Sequence, residues 1–333
     1  MIRNEEENLE EYLYFYPKLS DNIPLLSPAL KFLKFKQAYK KIIDHLPERH
    51  FDVIHVNTIF PAAIPALYAL KKFPSAALFI TEHWSGYYPE DGNYQGSIVT
   101  RYTKQLVAKA RAILVISEKL EQAMKAHHLK SSYHLIHNTV DTDLFKPQDL
   151  VPSNTGALQI LHVSSLTERE KNISGIIAIA AALKQKQFRF HLTLVGENPD
   201  ELTTHQTLVR EQELEAQVTF AGFKTAEAIA DHMNRSDVFL LFSHFEGAPV
   251  VITEALACGL PVISTDVGQI SRMIPPDMGI ILKGHAVEAG VDALLRYKRS
   301  DFRDRKAMNG YICERYSPEA VCKQITGFYQ LHS

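Results

Sequence analysis

The sequence predicts an α/β protein of two doubly wound, Rossmann-like domains facing each other across a cleft. Three observations lead there. Short β-branched and apolar runs alternate with helical patterns almost from end to end, as they do in βα units on parallel sheets. One proline-containing polar stretch, from Lys146 to Gly156, breaks the alternation near the middle and reads as a linker. The length of 333 residues is enough for two domains, each with its own core.

Taken in order, the first domain (1–147) has strands expected near 11–17, 52–56, 76–80, 112–116 and 132–136. Helices are expected around 28–46, 62–71, 95–109 and 118–127. Its first residues are acidic and polar, which suggests a helical or frayed start where a doubly wound domain usually opens with a strand and a glycine-rich turn. The first domain therefore reads as incomplete at its beginning. The second domain (156–310) has strands expected near 158–164, 190–195, 217–222, 237–242, 261–264 and 279–282. Helices near 172–186, 200–214, 225–234, 249–258 and 286–299 separate them. A helical tail (311–333) is expected to pack back toward the first domain, with Ser317 as cap and Pro318 in the first turn. Ligands of such sheets bind outside the carboxyl ends of the strands.

Composition removes several classes. Apolar residues make up 46% and charged residues 22%, as in a soluble globular protein, and a net charge of -2 gives no bias toward nucleic acid. Cys258, Cys313 and Cys322 form no CxxC pair, which fits reduced thiols. The first residues are too acidic for a signal peptide, and no apolar run approaches the roughly 20 residues that span a bilayer. A cytoplasmic protein is expected. Residues 31–43 carry five lysines among aromatic and aliphatic residues. They fit peripheral contact with the inner face of an anionic membrane, or a helix packed on its own sheet with solvated lysines. No GxGxxG turn follows a strand, and no P-loop is present. Asp141-Thr-Asp143 has the look of a metal-binding DxD, but its place before Leu144-Phe145 suits a turn, and no metal is expected.

The informative segment is Glu246-Gly-Ala-Pro-Val-Val-Ile-Thr-Glu254. A buried strand runs into a turn, Pro249 begins a helix, and Gly259 ends it. Backbone N–H groups from Gly247, Ala248, Val250 and Val251, together with the helix dipole, make a site for a diphosphate. Glu246 sits in the turn. Glu254 lies roughly 7–8 Å farther along the helix axis, among Val250, Val251, Ala255, Leu256 and Ala257. A carboxylate on so apolar a helix needs a partner, and a ribose diol is suitable.

On these residues the segment resembles the E-x7-E motif of glycosyltransferase family 4, retaining enzymes of the GT-B fold. The stretch from Ile136 to Pro147 resembles the family's Pro-Asn-Gly-Val-Asp segment, and Thr81-Glu-His-Trp84 resembles its acceptor-domain loop. Val195-Gly-Glu-Asn-Pro199 and Val218-Thr-Phe-Ala-Gly-Phe223 resemble two donor-domain turns, the second bringing Gly222 and Phe223 to the donor. The resemblance implies that Glu246 contacts the donor sugar, that Glu254 holds the ribose, and that Lys171 neutralises the diphosphate. Ser165 stands where the family usually has arginine, and Arg169 is the candidate for the missing charge. His83 would orient acceptor or sugar. Trp84, Tyr87 and Tyr88 fit sugar stacking and core packing equally well.

The implied activity is metal-independent transfer, with retention, of a hexose from a UDP- or GDP-linked donor to a glycan or lipid-linked acceptor. Cell-surface polysaccharide or glycolipid synthesis is the expected setting. No cofactor is expected, because the nucleotide sugar is a substrate. The incomplete start and Ser165 keep a second reading open, a nucleotide-sugar-binding remnant with little or no catalysis. A sugar-nucleotide epimerase of the same shape is a third.

Overall fold

The computed structural model describes residues 2–6, 9–13, 27–47, 50–89, 91–148 and 156–332. They divide into two units. The first comprises the chain up to Ile116, Leu120–Leu135 and the residues from Gly327 onward; the second comprises Ser117–Lys119 and Ile136–Thr326.

The first unit begins with β1 (Ile2–Glu6) and β2 (Leu9–Leu13), paired antiparallel with Ile2 opposite Leu13 and Glu6 opposite Leu9. This corrects the helical or frayed start. Glutamate favours helices only weakly, and a ladder that satisfies both backbones outweighs that preference. The strand expected near 11–17 belongs to this hairpin as far as Leu13, and 14–17 lie outside the described residues. Then follow α1 (Ser27–His45), β3 (Val53–Asn57), α2 (Ile59–Lys72), β4 (Ala77–Glu82), α3 (Ser97–Val107), β5 (Ala112–Val115), α4 (Glu118–Ala126) and β6 (Tyr133–Leu135). The four strands from β3 to β6 form a parallel sheet in that order. Every residue of β4 and β5 is buried, which explains the apolar runs 77–80 and 112–115: a parallel sheet is covered on both faces. On α1, Ala38 and Ile43 are buried while Lys31, Lys36, Lys40 and Lys41 are exposed.

The second unit holds β7 (Leu158–Val163), α5 (Glu168–Lys171), α6 (Ile173–Gln185), β8 (Phe190–Val195), α7 (Pro199–Glu211), β9 (Val218–Gly222) and α8 (Ala226–Arg235). It continues with β10 (Val238–Leu241), α9 (Val250–Ala257), β11 (Val262–Thr265), α10 (Ile270–Met273), β12 (Gly279–Leu282), α11 (Val287–Leu295), α12 (Arg305–Tyr316) and α13 (Pro318–His332). Its six strands are all parallel, in the order β9-β8-β7-β10-β11-β12. Strand order reverses between β7 and β10, and open α/β sheets bind ligands at such a switch point. Two apolar layers cover the sheet. Along β10 and its extension, Val238, Leu240 and Phe242 pack with α6 and α11, while Phe239 and Leu241 pack with α8, α9 and α12. That is the period of two expected of a strand.

Two features differ from the sequence reading. Helix α12 begins at Arg305, before the helical tail expected from 311, and is separate from α13; Asp304 caps it by accepting from the Ala307 N–H at 3.0 Å, and it buries Met308, Ile312 and Tyr316. The stretch 136–147, assigned above to the first domain, groups with the second. Val140 and Phe145 enter that unit's core, and the Val140 N–H donates to the Tyr316 carbonyl at 2.9 Å. The end of α13 packs as expected of the tail: Phe328 and Tyr329 lie on Val53, Ala77, Phe79 and Ala112 of the first unit. The Ser317 hydroxyl accepts from the Ala320 N–H at 3.1 Å, as its place before Pro318 suggested.

Candidate active site

Beyond the carboxyl end of β7 the chain enters the loop 164–167 and the single turn α5. Beyond the end of β10 it enters the turn 242–249, which leads into α9. The two are joined by backbone: the N–H groups of His244 and Phe245 donate to the Glu170 carbonyl at 2.8 and 3.3 Å. Asn172, in a left-handed conformation, caps α6 by accepting from the Gly175 N–H at 3.1 Å and donates to the Phe242 carbonyl at 3.2 Å. Beneath them His162 is wholly buried, bonded to the Leu240 carbonyl at 2.9 Å and the Ser164 hydroxyl at 2.7 Å. Burial pushes its pKa down to about 4, so it serves as a neutral strut.

Between these loops lies a cavity of about 390 Å³, lined among others by Ser165, Lys171, Glu246, Val250, Val251 and Glu254. Lys171 Nζ donates to Glu246 Oε1 at 2.7 Å. The pair is mostly withdrawn from water, with 18% of the lysine and 7% of the glutamate side chain exposed. Pro249, another lining residue, caps α9 rather than occupying its first helical position, one residue from the sequence reading. No side chain caps that helix start, and its first turn holds no acid. The N–H groups of Val250 and Val251 precede the first intrahelical bond, so they are the donors that this end of the cavity offers an anion.

Glu254 stands one turn deeper. Among the described residues no donor reaches its carboxylate, and burial alone pushes its pKa up to about 7. The helix then ends as a Schellman motif: Gly259, at φ 72°, donates to Leu256 O at 2.9 Å and Leu260 donates to Ala255 O at 2.9 Å.

Two glycines shape the site. A Cβ on Gly196, whose φ is 134°, would stand 1.7 Å from the Ser164 carbonyl oxygen. One on Gly268 would stand 2.3 Å from that of Glu246, whose neighbour Gly247 accepts from the Gln269 N–H at 2.9 Å. We expect Gly196→Ala to cost about 2–3 kcal/mol or more, as backbone strain joins a steric clash. Urea unfolding checks this; a change under about 0.5 kcal/mol would contradict it.

The cavity thus gathers Lys171, Glu246, Glu254, Ser165, Pro249, Val250 and Val251 from the sequence candidates. Gly247 and Ala248 lie in the turn beside it, where the Ala248 carbonyl accepts from Asn138 Nδ2 at 3.3 Å. Arg169 is exposed and does not line the cavity. Two residues along a helix point about 200° apart, so Arg169 cannot share the direction of Lys171. Gly222 closes β9, at φ 71°, and Phe223 is 72% exposed; neither lines the cavity. Asp141 Oδ1 accepts from the Asp143 and Leu144 N–H groups, both at 3.0 Å, an Asx turn of the kind its position suggested.

His83 belongs to the first unit, where its side chain is exposed. Its backbone is held by Glu82, which is fully buried. One oxygen of Glu82 accepts from the His83 and Trp84 N–H groups, each at 2.9 Å; the other accepts from Ile59 N–H at 2.9 Å and Tyr87 O–H at 3.2 Å. Burial raises its pKa while the N–H donors lower it. Tyr87 and Tyr88 are buried and serve packing; Trp84 is half-buried, set edge-on to Tyr87. Sequence reasoning missed Ser164 and Glu170, which line this cavity, and Ser243 beneath it. The one signal for Ser243 is a small hydroxyl residue three positions before Glu246.

Comparison with known proteins identifies the family. Residues 148–315 match the family described as Glycosyl transferases group 1, and residues 3–144 match Glycosyltransferase Family 4. EpsF of Bacillus subtilis, which carries a glycosyltransferase name, is 28% identical over 287 residues, covering 80% of this chain and 72% of its own. The amylovoran biosynthesis glycosyltransferase AmsK of Erwinia amylovora is 36% identical over 123 residues, 35% of this chain and 30% of its own. The structure of Anabaena HepE in complex with UDP superposes with a TM-score of 0.73 at 18% identity, covering 88% of this chain and 82% of that one. At that identity the likeness is one of fold, and the fold is GT-B.

Proposed function

Because the chain belongs to the group 1 glycosyl transferases, we propose that it transfers a hexose, with retention and without a metal ion, from a UDP- or GDP-linked donor. The acceptor in this reading is a glycan or a lipid-linked sugar of polysaccharide synthesis. The name of AmsK and the UDP held by HepE support that choice. The observation that carries the proposal is the pairing of Lys171 with Glu246 at 2.7 Å beside the uncapped start of α9, with Glu254 one turn deeper.

In this reading the diphosphate lies at the N–H groups of Val250 and Val251 and against Lys171. Charge that grows on the leaving phosphate as the glycosidic bond breaks is met by fixed dipoles and a cation, which lowers the barrier without a protein acid. Glu246 holds a sugar hydroxyl. Glu254 accepts the ribose diol. The leaving phosphate takes the acceptor proton on the same face from which it departs, so configuration is retained. The cation and the helix start supply what a metal supplies elsewhere.

Release of nucleotide diphosphate from UDP-glucose, UDP-N-acetylglucosamine and GDP-mannose, with oligosaccharide and lipid-linked sugar acceptors and a chelator present, tests the proposal. Turnover of one of them unaffected by the chelator is expected; release that needs an added divalent cation would contradict metal independence. One observation favours a second reading, binding without turnover: Lys171 is the one cation among the described residues lining the cavity. Tight binding with no release from any donor would select it.

The raised pKa of Glu254 gives this reading a pH signature. A diol donates to the ionised carboxylate, while the folded, unliganded protein holds that group half protonated near pH 7. Affinity for free UDP or GDP is therefore expected to fall about tenfold for each pH unit below 7 and to level off above it. Because the folded pKa lies above the ordinary carboxyl value, stability of the unliganded chain moves the other way, falling as pH rises from about 4.5 to 7. Calorimetry from pH 5.5 to 8.5 checks the first trend. Glu254→Gln should flatten it, and an unchanged slope in that variant would remove Glu254 from the ribose.

A further inference from the structure

We infer that Ser243 is a positioning residue that divides the two oxygens of Glu246 between the protein and the donor sugar; this rests on the donor-site reading above. Ser243 follows β10 and is completely buried. Its hydroxyl donates to Glu246 Oε1 at 2.8 Å, the same oxygen that accepts Lys171 Nζ at 2.7 Å. Among the described residues no donor reaches Oε2. One oxygen is thus saturated by the protein, and the other is left to a ligand in the cavity that Glu246 lines.

The hydroxyl can do this only if the serine backbone is held, and it is held twice. The Ser243 carbonyl accepts from Thr265 Oγ1 at 2.8 Å and from His285 Nε2 at 3.0 Å. Thr265 ends β11 and His285 follows β12, so two neighbouring strands fix one carbonyl. Because Lys171 is on a flexible four-carbon stem and is also wanted by the diphosphate, it cannot hold Glu246 by itself through a reaction cycle. Ser243 keeps the carboxylate in place when Lys171 turns to the phosphate.

The test uses release of nucleotide diphosphate from whichever of UDP-glucose, UDP-N-acetylglucosamine or GDP-mannose the wild-type chain turns over. For Ser243→Ala the release rate is expected to fall roughly 10- to 100-fold, the effect of one lost bond to a charged group. Affinity for the free nucleotide diphosphate, which carries no sugar, should stay within about twofold. Thr265→Val, which removes one anchor while leaving the hydroxyl, is expected to give a smaller loss in rate with the same unchanged affinity. Ser243→Thr, which keeps a hydroxyl, should recover part of the rate. Rates within twofold of wild type in both Ser243→Ala and Thr265→Val would overturn the inference, as would a parallel loss of nucleotide affinity, which marks a merely structural serine. A wild-type chain that releases nothing from any donor would overturn the transfer reading, and this role with it.

Discussion

Lys171→Ala is expected to lower donor turnover by about 100- to 1,000-fold, the usual effect of removing one fixed group that stabilises charge in a transition state. A second effect accompanies it. Glu246 is 7% exposed, and taking away its cation leaves a carboxylate with only the Ser243 hydroxyl. Breaking one side of a buried pair costs about 3 kcal/mol, so urea unfolding should show a loss of that order. Lys171→Arg should recover stability more than rate, because a planar fork does not reproduce a compact ammonium beside a phosphate. Combining Lys171→Ala with Glu246→Gln separates the two effects. The neutral partner should restore most of the stability and none of the turnover. Full turnover in Lys171→Ala would remove the lysine from the chemistry.

Glu254→Ala is expected to act in the opposite sense on stability and at a different step. Two hydrogen bonds from a ribose to a carboxylate are lost, so affinity for UDP or GDP should fall about 100-fold or more. The unliganded chain should be as stable as wild type or more so at pH 8. There the wild type holds an ionised carboxylate on an apolar helix with no donor from the described residues. A side chain whose removal stabilises the empty protein and abolishes ligand binding is one retained for the ligand. Thermal melts with and without UDP read both parts. A variant that melts lower than wild type yet binds UDP normally would mean that Glu254 is structural.

The contrast between these two glutamates could be read from the sequence in outline. Their spacing, the glycine and proline between them and the apolar neighbours of Glu254 are enough to propose places for a diphosphate and a ribose. The role of Lys171 came from resemblance, since a lysine near a helix start has no pattern of its own. Sequence could not separate Lys171 from Arg169, because that depends on the direction of a single helical turn. Nor could it find Ser243, whose role depends on Thr265 and His285 from strands that are neighbours only in the folded sheet.

The strands of the second unit were legible because buried parallel strands are short unbroken apolar runs; β8 and β12 have the bounds expected of them. Helix α12 as a separate element was hidden because its buried residues, Met308, Ile312 and Tyr316, are spaced four apart among arginine, lysine, asparagine and glutamate. The β1–β2 hairpin was hidden by glutamates, whose weak helical preference says little once two segments pair. The stretch 136–147 was placed by chain order with the first unit, although Val140 and Phe145 are bound by burial to the second.

A nucleotide sugar is proposed to bind at the ends of β7 and β10, with its phosphates at the start of α9. A crystal structure of the chain soaked with UDP tests this most directly. The expected result places the diphosphate within hydrogen-bond reach of the Val250 and Val251 N–H groups and Lys171, with the ribose hydroxyls on Glu254. UDP bound elsewhere, or at this site with its ribose away from Glu254, would contradict it.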